Sequence, residues 1–375
     1  LPHHTGYDIG NRGKDWDAFD PELSPVMEVY SGHGSSEAVD EPPRMENLSM
    51  GPRVSGGTLQ DGLGRGCRVG VVAGNDGWGV PGTPWDDGVT GVWAAERTRE
   101  AVWAALRDRR TYGVSGDRIA IDYEVGGAPM GSVAPLDAPT AEAEVDCPRP
   151  LDAVEVVGDG RVLATHTHRP HPAEDPDGRY RLPVEIGWGP TRSNGDFDDV
   201  TLDWAGRLTV DGGDLARVWP RFDGMGQRYE FGGDCTFACR TARDRDRPQY
   251  DPGPVQGFVV EVAGADATLV ADLDRGRVEV PVDEAREGAR VVAFEDEARE
   301  RIDRAVGAAD AVQNPDTFYQ HAPKVRVGRA APRAACRASV RFPDLPDCEY
   351  YYLRVRQVNG HRAWGSAVWP SATAA

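Results

Sequence analysis

The chain has 375 residues, of which 39% are hydrophobic, so it is long enough to form more than one packed core. Its formal net charge is -19, and only Lys14 and Lys324 are lysines among its 42 cationic residues. Such an acidic chain lacks the basic face that nucleic acid or an anionic membrane requires, so neither is expected as a partner. Carboxylate-rich surfaces stay hydrated when salt reduces the Debye length to ~3 Å, and the composition therefore predicts halophilic adaptation.

Residues 1–116 predict alternating strands and helices. The first elements are a strand at 25–31, a short helix at 58–66 and a second buried strand at 67–73. Thr98 is a candidate N-cap for a helix over residues 99–110, in which Val102 and Trp103 lie on the apolar face. This alternation, with polar residues after the strands, is typical of a parallel (β/α) barrel.

From residue 117 the pattern changes to short β-like runs separated by Gly, Pro and Asp. The runs lie at 119–125, 151–157, 161–165, 180–186, 207–210, 258–262 and 350–358. They predict an antiparallel, β-sandwich-like domain over residues 117–375, with a division near 244–254. An acidic amphipathic stretch at 296–306 predicts one helix within it.

The six cysteines are scattered, and no C-x2-C pair occurs. Cys235 and Cys239 have no matching second pair, so the spacing favours buried thiols over a zinc site. No run of ~18 apolar residues and no leader pattern is present. We therefore expect a cytoplasmic location, with any N-terminal signal lying upstream of this chain.

Candidate metal ligands occur in three separate segments. His3 and His4 open the chain, Glu28 and His33 lie in and after the first strand, and Asp76 follows the second. Imidazole and carboxylate are common metal ligands, and a site needs ligands from several segments. The alternatives are loop histidines at a frayed end, an outward-facing strand carboxylate at Glu28 and a turn at Asn75-Asp76-Gly77.

A second histidine cluster, His166-x-His168-x2-His171, lies in the β region. His166 and His168 share one face of a strand, which suits a metal ion. However, Pro170 and Pro172 indicate an exposed turn, and the spacing supplies no carboxylate or cysteine partner. The pattern therefore favours a surface turn over a metal site.

Six short motifs follow one another along nearly the whole chain. They are Pro2-His3-His4-Thr5-Gly6, Glu28-Val29-Tyr30-Ser31, Ala73-Gly74-Asn75-Asp76, Thr98-Arg99-Glu100-Ala101, Arg109-Arg110-Thr111-Tyr112-Gly113, and Tyr351–Gln357 with Ala363–Trp369. Their order resembles that of large proteins of the polymerase and histidinol phosphatase (PHP) superfamily. This branch carries a β domain after its barrel and is generally labelled a domain of unknown function.

The resemblance implies a fold and an activity. The fold is an incomplete PHP-type (β/α)7 barrel, later strands only, in residues 1–116, followed by the β domain. The activity is hydrolysis of small phosphorylated substrates with divalent metal ions, Mn, Zn or Fe. By motif position, His3 or His4 is similar to the mid-barrel histidine ligand and Asp76 to the acid of the late Gly-Ser-Asp-x-His motif. Glu28 falls on a late barrel strand, and His33 at its end is a possible contact to a ligand or substrate.

Two departures from the family pattern bear on function. The opening His-x-His motif would precede residue 1, and Trp78 stands where a ligand histidine is expected, although indole cannot ligate a metal. The sequence therefore predicts a truncated metal-dependent phosphoesterase, leaves open whether the chain is active by itself, and makes an upstream polypeptide that completes the barrel a candidate partner. The alternative is a non-catalytic binding or structural protein that works through its β domain.

Overall fold

A computed structural model of the chain describes residues 1–43, 50–76, 85, 88–169, 177–190, 201–243, 251–307, 309–314 and 316–371. The chain divides into two compact units. Unit 1 contains Leu1–Asp76, Asp86–Pro170 and Ala335–Ala375, whereas unit 2 contains Gly77–Trp85 and His171–Ala334. Unit 1 is therefore built from both ends of the sequence.

Most regular structure in the described residues is β-strand. In chain order, the strands before residue 170 are β1 (Val26–Ser31), β2 (Gly34–Ser35), β3 (Gly70–Ala73), β4 (Val89–Val92), β5 (Thr111–Val114), β6 (Ala120–Val125), β7 (Ala128–Pro129), β8 (Val133–Ala134), β9 (Ala141–Asp146), β10 (Leu151–Gly158) and β11 (Arg161–Thr167). The next are β12 (Arg179–Gly187), β13 (Thr201–Asp211), β14 (Asp214–Arg221), β15 (Arg228–Phe231), β16 (Cys235–Ala242), β17 (Val255–Ala263), β18 (Thr268–Leu273), β19 (Gly276–Pro281), β20 (Arg290–Ala293), β21 (Lys324–Val327) and β22 (Ala331–Pro332). The last are β23 (Arg337–Phe342), β24 (Tyr351–Gln357), β25 (Arg362–Gly365) and β26 (Trp369–Pro370).

The helices of the described ranges are short. They are α1 (Leu59–Gly64), α2 (Arg99–Arg107), α3 (Val282–Glu287), α4 (Glu295–Val306) and α5 (Asp316–His321), with 3-10 turns at Ala309–Ala311 and Arg333–Cys336. Thr58 caps α1 by accepting from the Asp61 N–H, and Thr98 caps α2 by accepting from the Ala101 N–H. Across the residues that the structure describes, no helix has the length and apolar character needed to cross a membrane.

Unit 1 has three layers of sheet. A three-stranded sheet, β2-β1-β3, packs on a six-stranded sheet, β11-β10-β24-β25-β5-β4, and a four-stranded sheet, β23-β9-β6-β7, covers the other face. Strand β24 lies between the two cores. Tyr351, Leu353 and Val355 enter one core and Tyr352 enters the other, because successive side chains of a strand point to opposite faces.

Unit 2 is a β-sandwich of two antiparallel sheets. One has the order β14-β17-β12-β21-β20, with β22 also paired to β12, and the other has the order β15-β16-β13-β18-β19. Their facing side chains form one core, which includes Leu182, Val184, Trp204 and Val260. The predicted antiparallel, sandwich-like sheets are therefore confirmed.

The predicted (β/α)7 barrel is wrong. The parallel pair β1–β3, connected through α1, forms one βαβ unit, but β4 and β5 pair antiparallel and join the strands from the C-terminal part of the chain. A barrel helix must bury its apolar face on the sheet, yet Val102 is 37% exposed and Trp103 59% exposed in α2. One face of the sheet that contains β1 and β3 is covered instead by the layer containing β24 and β25.

Individual strands were better predicted than their arrangement. All seven β-like runs after residue 117 contain a strand of the structure, and the predicted acidic helix is α4. The second buried strand is shorter than predicted, at Gly70–Ala73, and α2 ends at Arg107. Most of the predicted division at 244–254, residues 244–250, lies outside the described residues.

Candidate metal centre

The parallel pair β1–β3 brings two loops to the same sheet edge. Tyr30 of β1 is in register with Ala73 of β3, and the two strands run in the same direction. His33 follows the end of β1 by two residues and Asp76 follows the end of β3 by three. Because carboxyl ends of parallel strands meet at one edge, these side chains become neighbours.

The N-terminal segment is held against β1 by hydrogen bonds. The Glu28 N–H donates to the Pro2 carbonyl at 2.9 Å, and the His4 N–H donates to the Glu28 carboxylate at 3.1 Å. Further along, the Gly6 N–H donates to the Ser36 hydroxyl at 3.1 Å. These contacts fix His3 and His4 beside the edge, and His4 is buried with 4% of its surface exposed.

The predicted histidines converge on the Asp76 carboxylate. Its oxygens lie 3.3 Å from His3 Nδ1, 3.9 Å from His4 Nε2 and 2.8 Å from His33 Nε2. Candidate ligand atoms of His3, His4 and Asp76 all lie within 4.8 Å of one another. The structure thus brings together four residues that are spread over more than 70 positions of the sequence.

His33 links Asp76 to a buried tyrosine. Tyr7 Oη and His33 Nδ1 are 3.0 Å apart, while His33 Nε2 contacts Asp76. If the Tyr7 hydroxyl donates to Nδ1, the proton of the neutral ring lies on Nε2 and is donated to Asp76. His33 then orients the carboxylate, as partners of metal ligands commonly do.

The backbone is strained at two of the converging residues. His4 has φ 35° and Asp76 has φ 49°, both in the left-handed region that non-glycine residues rarely adopt. Such strain persists only where surrounding contacts enforce it, and it clusters at functional sites. Here it orients two side chains toward one point.

Burial sets the protonation of these groups. Burial and the neighbouring His3 lower the pKa of His4, and burial lowers the pKa of His33. Neutral imidazole is the form that ligates metal, so both shifts favour ligation near pH 7. Burial also raises the pKa of Glu28 to about 7, against the opposing effect of the His4 N–H.

The donor set fits a divalent metal ion. Two imidazoles and a carboxylate suit Mn, Zn or Fe, and the ligand atoms are close enough to share one ion. Glu28 lies beside the cluster, where its carboxylate holds the His4 backbone. Of the predicted residues, His3, His4 and Asp76 therefore form the candidate ligand set, with Glu28 and His33 in contact with it.

A buried ionic network that sequence reasoning missed supports the His33 loop. Glu37 is fully buried and accepts from Arg354 at 3.0 Å, Tyr352 at 2.7 Å and Trp364 Nε1 at 2.7 Å. The three donors come from β24 and β25. The late aromatic and arginine motifs thus hold the loop after β1 in place. The alternation of apolar residues with arginine within Tyr351–Gln357 is the sequence pattern that could have indicated this network.

A cleft of about 430 Å³ opens beside the histidines. Its lining includes Pro2, His3, His4, Thr5, Arg12 and Lys14. Sequence reasoning did not single out Arg12 or Lys14. The available signal was their position, in one tight loop directly after the paired histidines, in a chain with only two lysines.

The two motifs for which the sequence favours no metal site are not part of this cluster. His166 of β11 and His168, just after that strand, contact each other, with Nε2 and Nδ1 3.2 Å apart. His171 and Trp78 lie outside the described residues. Cys235 and Cys239 are buried free thiols of β16. The spacing argument against a zinc pair therefore agrees with their place in the unit 2 core.

Comparison with known sequences gives a partial match. Residues 82–129 match the family described as "Protein of unknown function (DUF3604)". This segment contains β4, α2, β5 and β6, but the candidate ligands precede it. The match supports a domain of unknown function.

Two bacterial relatives are also uncharacterized. A protein of Chlamydia pneumoniae is 31% identical over 172 residues, which is 41% of this chain and 27% of that protein. A protein of Chlamydia trachomatis serovar D is 29% identical over 130 residues, which is 32% of this chain and 21% of that protein. The matched region thus spans about a quarter of the relatives' length.

Among solved structures, a chain of the Iho670 flagellar-like filament is 11% identical, with a TM-score of 0.16, over 76% of this chain and 81% of that chain. A likeness this low carries no argument about fold or function.

Proposed function

We propose that unit 1 carries the metal centre of a metal-dependent hydrolase of the phosphoesterase class. The observation that carries the proposal is the convergence of His3, His4 and Asp76, with ligand atoms within 4.8 Å of one another. The similarity of the same motifs to PHP-superfamily proteins supports the reaction class. This similarity supports the metal site alone, because the described residues do not form a (β/α)7 barrel.

Each residue has a defined task in this proposal. His3, His4 and Asp76 hold the metal ion, and His33, fixed by Tyr7, orients the Asp76 carboxylate. Glu28 fixes the His4 backbone. When bound, a divalent ion supplies Lewis-acid chemistry for hydrolysis of a small phosphorylated substrate.

Metal analysis of the purified chain, combined with hydrolysis of a generic phosphodiester, tests the proposal. After incubation with Mn, Zn or Fe at high salt, we expect stoichiometric metal and measurable hydrolysis. His3→Ala and Asp76→Ala should each lose at least tenfold in metal affinity, because each removes one of three ligands. His166→Ala, which removes an imidazole of β11, is the matched control.

Absence of bound metal under all three conditions would refute the proposal for this chain. So would an equal loss in His166→Ala, since that residue lies outside the cluster. A metal-free, correctly folded chain would favour the alternative of a non-catalytic protein that works through its β domain.

A further inference from the structure

Two residues that line the cleft beside the candidate metal centre each have a buried polar atom without a partner. Thr5 is 1% exposed and His4 4% exposed, and both line the cleft. Thr5 Oγ1 and His4 Nδ1 have no hydrogen-bond partner among the described residues. A buried polar atom left unpaired costs about 1–3 kcal/mol, so a group that binds at these two neighbouring residues would be stabilised by pairing with them.

Both atoms can act as donors toward that ligand. The Thr5 hydroxyl carries a proton, and neutral His4 carries one on Nδ1 in one of its two tautomers, with or without metal at Nε2. A ligand that accepts hydrogen bonds through several oxygens satisfies both. Anions with three or more oxygens provide enough acceptor atoms for both donors.

Positive charge lies at the same cleft. Arg12 is exposed and lines the cleft, where its guanidinium supplies the positive charge. Guanidinium groups bind tetrahedral oxyanions through paired N–H donors. Lys14 also lines the cleft, although its ammonium lies 5.8 Å from the Trp16 ring centroid. Arg12 is therefore the main candidate for direct contact.

The loop that carries Arg12 is tightly constrained. The Gly13 N–H donates to the Asp8 carbonyl at 2.8 Å and the Lys14 N–H donates to the Thr5 carbonyl at 3.1 Å. A Cβ at Gly13 would lie 1.9 Å from the Tyr7 carbonyl oxygen, so glycine is required there. The loop thus fixes the Arg12 backbone over the segment that contains Thr5.

We propose that Arg12, Thr5 and His4 form a subsite for a tetrahedral oxyanion of the substrate, beside the metal ligands. This inference rests on the proposed hydrolase function, because in that enzyme the subsite would select substrates that carry a phosphate-like group. Binding of the anion itself requires no hydrolysis, and it is measured separately.

Calorimetric titration of the chelator-treated chain with inorganic phosphate, at constant ionic strength, tests the subsite. Sulfate and acetate provide the comparison ligands. Phosphate and sulfate should bind, whereas acetate should bind at least tenfold more weakly because it has only two oxygens. Arg12→Ala should weaken phosphate binding about tenfold, the loss of one charge-assisted contact, and Thr5→Val about fivefold.

The controls separate a binding effect from misfolding. Arg118→Ala removes an exposed arginine of unit 1 that does not line the cleft and should change the affinity less than twofold. Thr5→Ser keeps the hydroxyl and should retain binding. Equal losses in Arg12→Ala and Arg118→Ala, equal affinity for acetate, or no phosphate binding would each overturn the subsite.

The two proposals fail in different ways. Phosphate binding that depends on Arg12, in a chain that takes up no metal, would support the subsite and refute the hydrolase. Metal uptake with hydrolysis that is unchanged in Arg12→Ala, together with no phosphate binding, would support the hydrolase and refute the subsite.

Discussion

Single residues decide whether the site could be recognised. His3 and His4 are identifiable as a histidine pair, and His33 and Asp76 from their position after β-like runs. Arg12 and Thr5 were not, because an exposed arginine and a threonine are too common to signal a site. Their significance depends on the cleft and on the unpaired Thr5 hydroxyl, which only coordinates reveal.

Buried thiols make the stability of unit 2 sensitive to alkaline pH. Burial raises the pKa of Cys239 to about 12, from an ordinary value of 9.0. Above pH 9 the unfolded chain releases this proton while the folded chain retains it. Stability is therefore complete below pH 9 and falls by about 1.4 kcal/mol per pH unit for this thiol until pH 12.

Denaturant unfolding between pH 8 and 11 measures the effect. Cys239→Ala should show a shallower fall in the free energy of unfolding than the wild type, whatever its stability at pH 8. Cys67→Ala, at a more exposed thiol of unit 1, serves as the comparison. Parallel pH profiles for wild type and Cys239→Ala would contradict the prediction.

At the level of elements, the sequence predicts strands better than their partners. Alternation in β6 predicts one buried face, and the strand lies as that pattern requires. Nothing in β5 indicates that it pairs with β25, about 250 positions away in the chain. The barrel prediction failed because βαβ-like spacing around α1 and α2 was extended to strands that pair antiparallel.

The contact between the segment after β2 and β24 is expected to dominate the stability of unit 1. Glu37 is fully buried, and its carboxylate pairs with Arg354. Removing one partner of a buried ion pair leaves an uncompensated charge, which costs about 3–5 kcal/mol. Glu37→Ala should therefore destabilise unit 1 by about 3 kcal/mol, since Glu155 and Glu41 still contact Arg354.

Urea unfolding monitored by tryptophan fluorescence would show this loss as an earlier transition for unit 1. Glu124→Ala removes an exposed carboxylate of β6 and should change the free energy of unfolding by less than about 0.5 kcal/mol. A similar shift in both variants would show that the network contributes no more than a surface charge.

For the whole molecule, composition indicated a chain of more than one core, and the structure has separate cores in its two units. The discontinuity of unit 1 could not be predicted, because hydrophobic patterning does not state which distant strands will pair. Tyr351–Gln357 is apolar enough for a buried strand, but its position between two cores follows from tertiary packing.

Removal of residues 335–375 tests this organisation. The deletion eliminates β23 to β26, including the donors to Glu37, so unit 1 should lose cooperative unfolding. Unit 2 keeps all its strands and its core and should still unfold cooperatively in calorimetry. A variant with residues 372–375 removed controls for truncation itself. Loss of both transitions in the longer deletion would contradict the prediction.

The pairing of Glu37 with Arg354 also sets an order of events during synthesis. The two residues are 317 positions apart, which corresponds to between about 15 and 60 s of translation. Throughout that interval the histidine segment has emerged from the ribosome, while the strands that hold its loop have not been made. The sandwich strands β12–β22 are all translated first. A nascent chain would therefore be able to form its β-sandwich before Glu37 meets Arg354 and the loop that carries His33 is held in place.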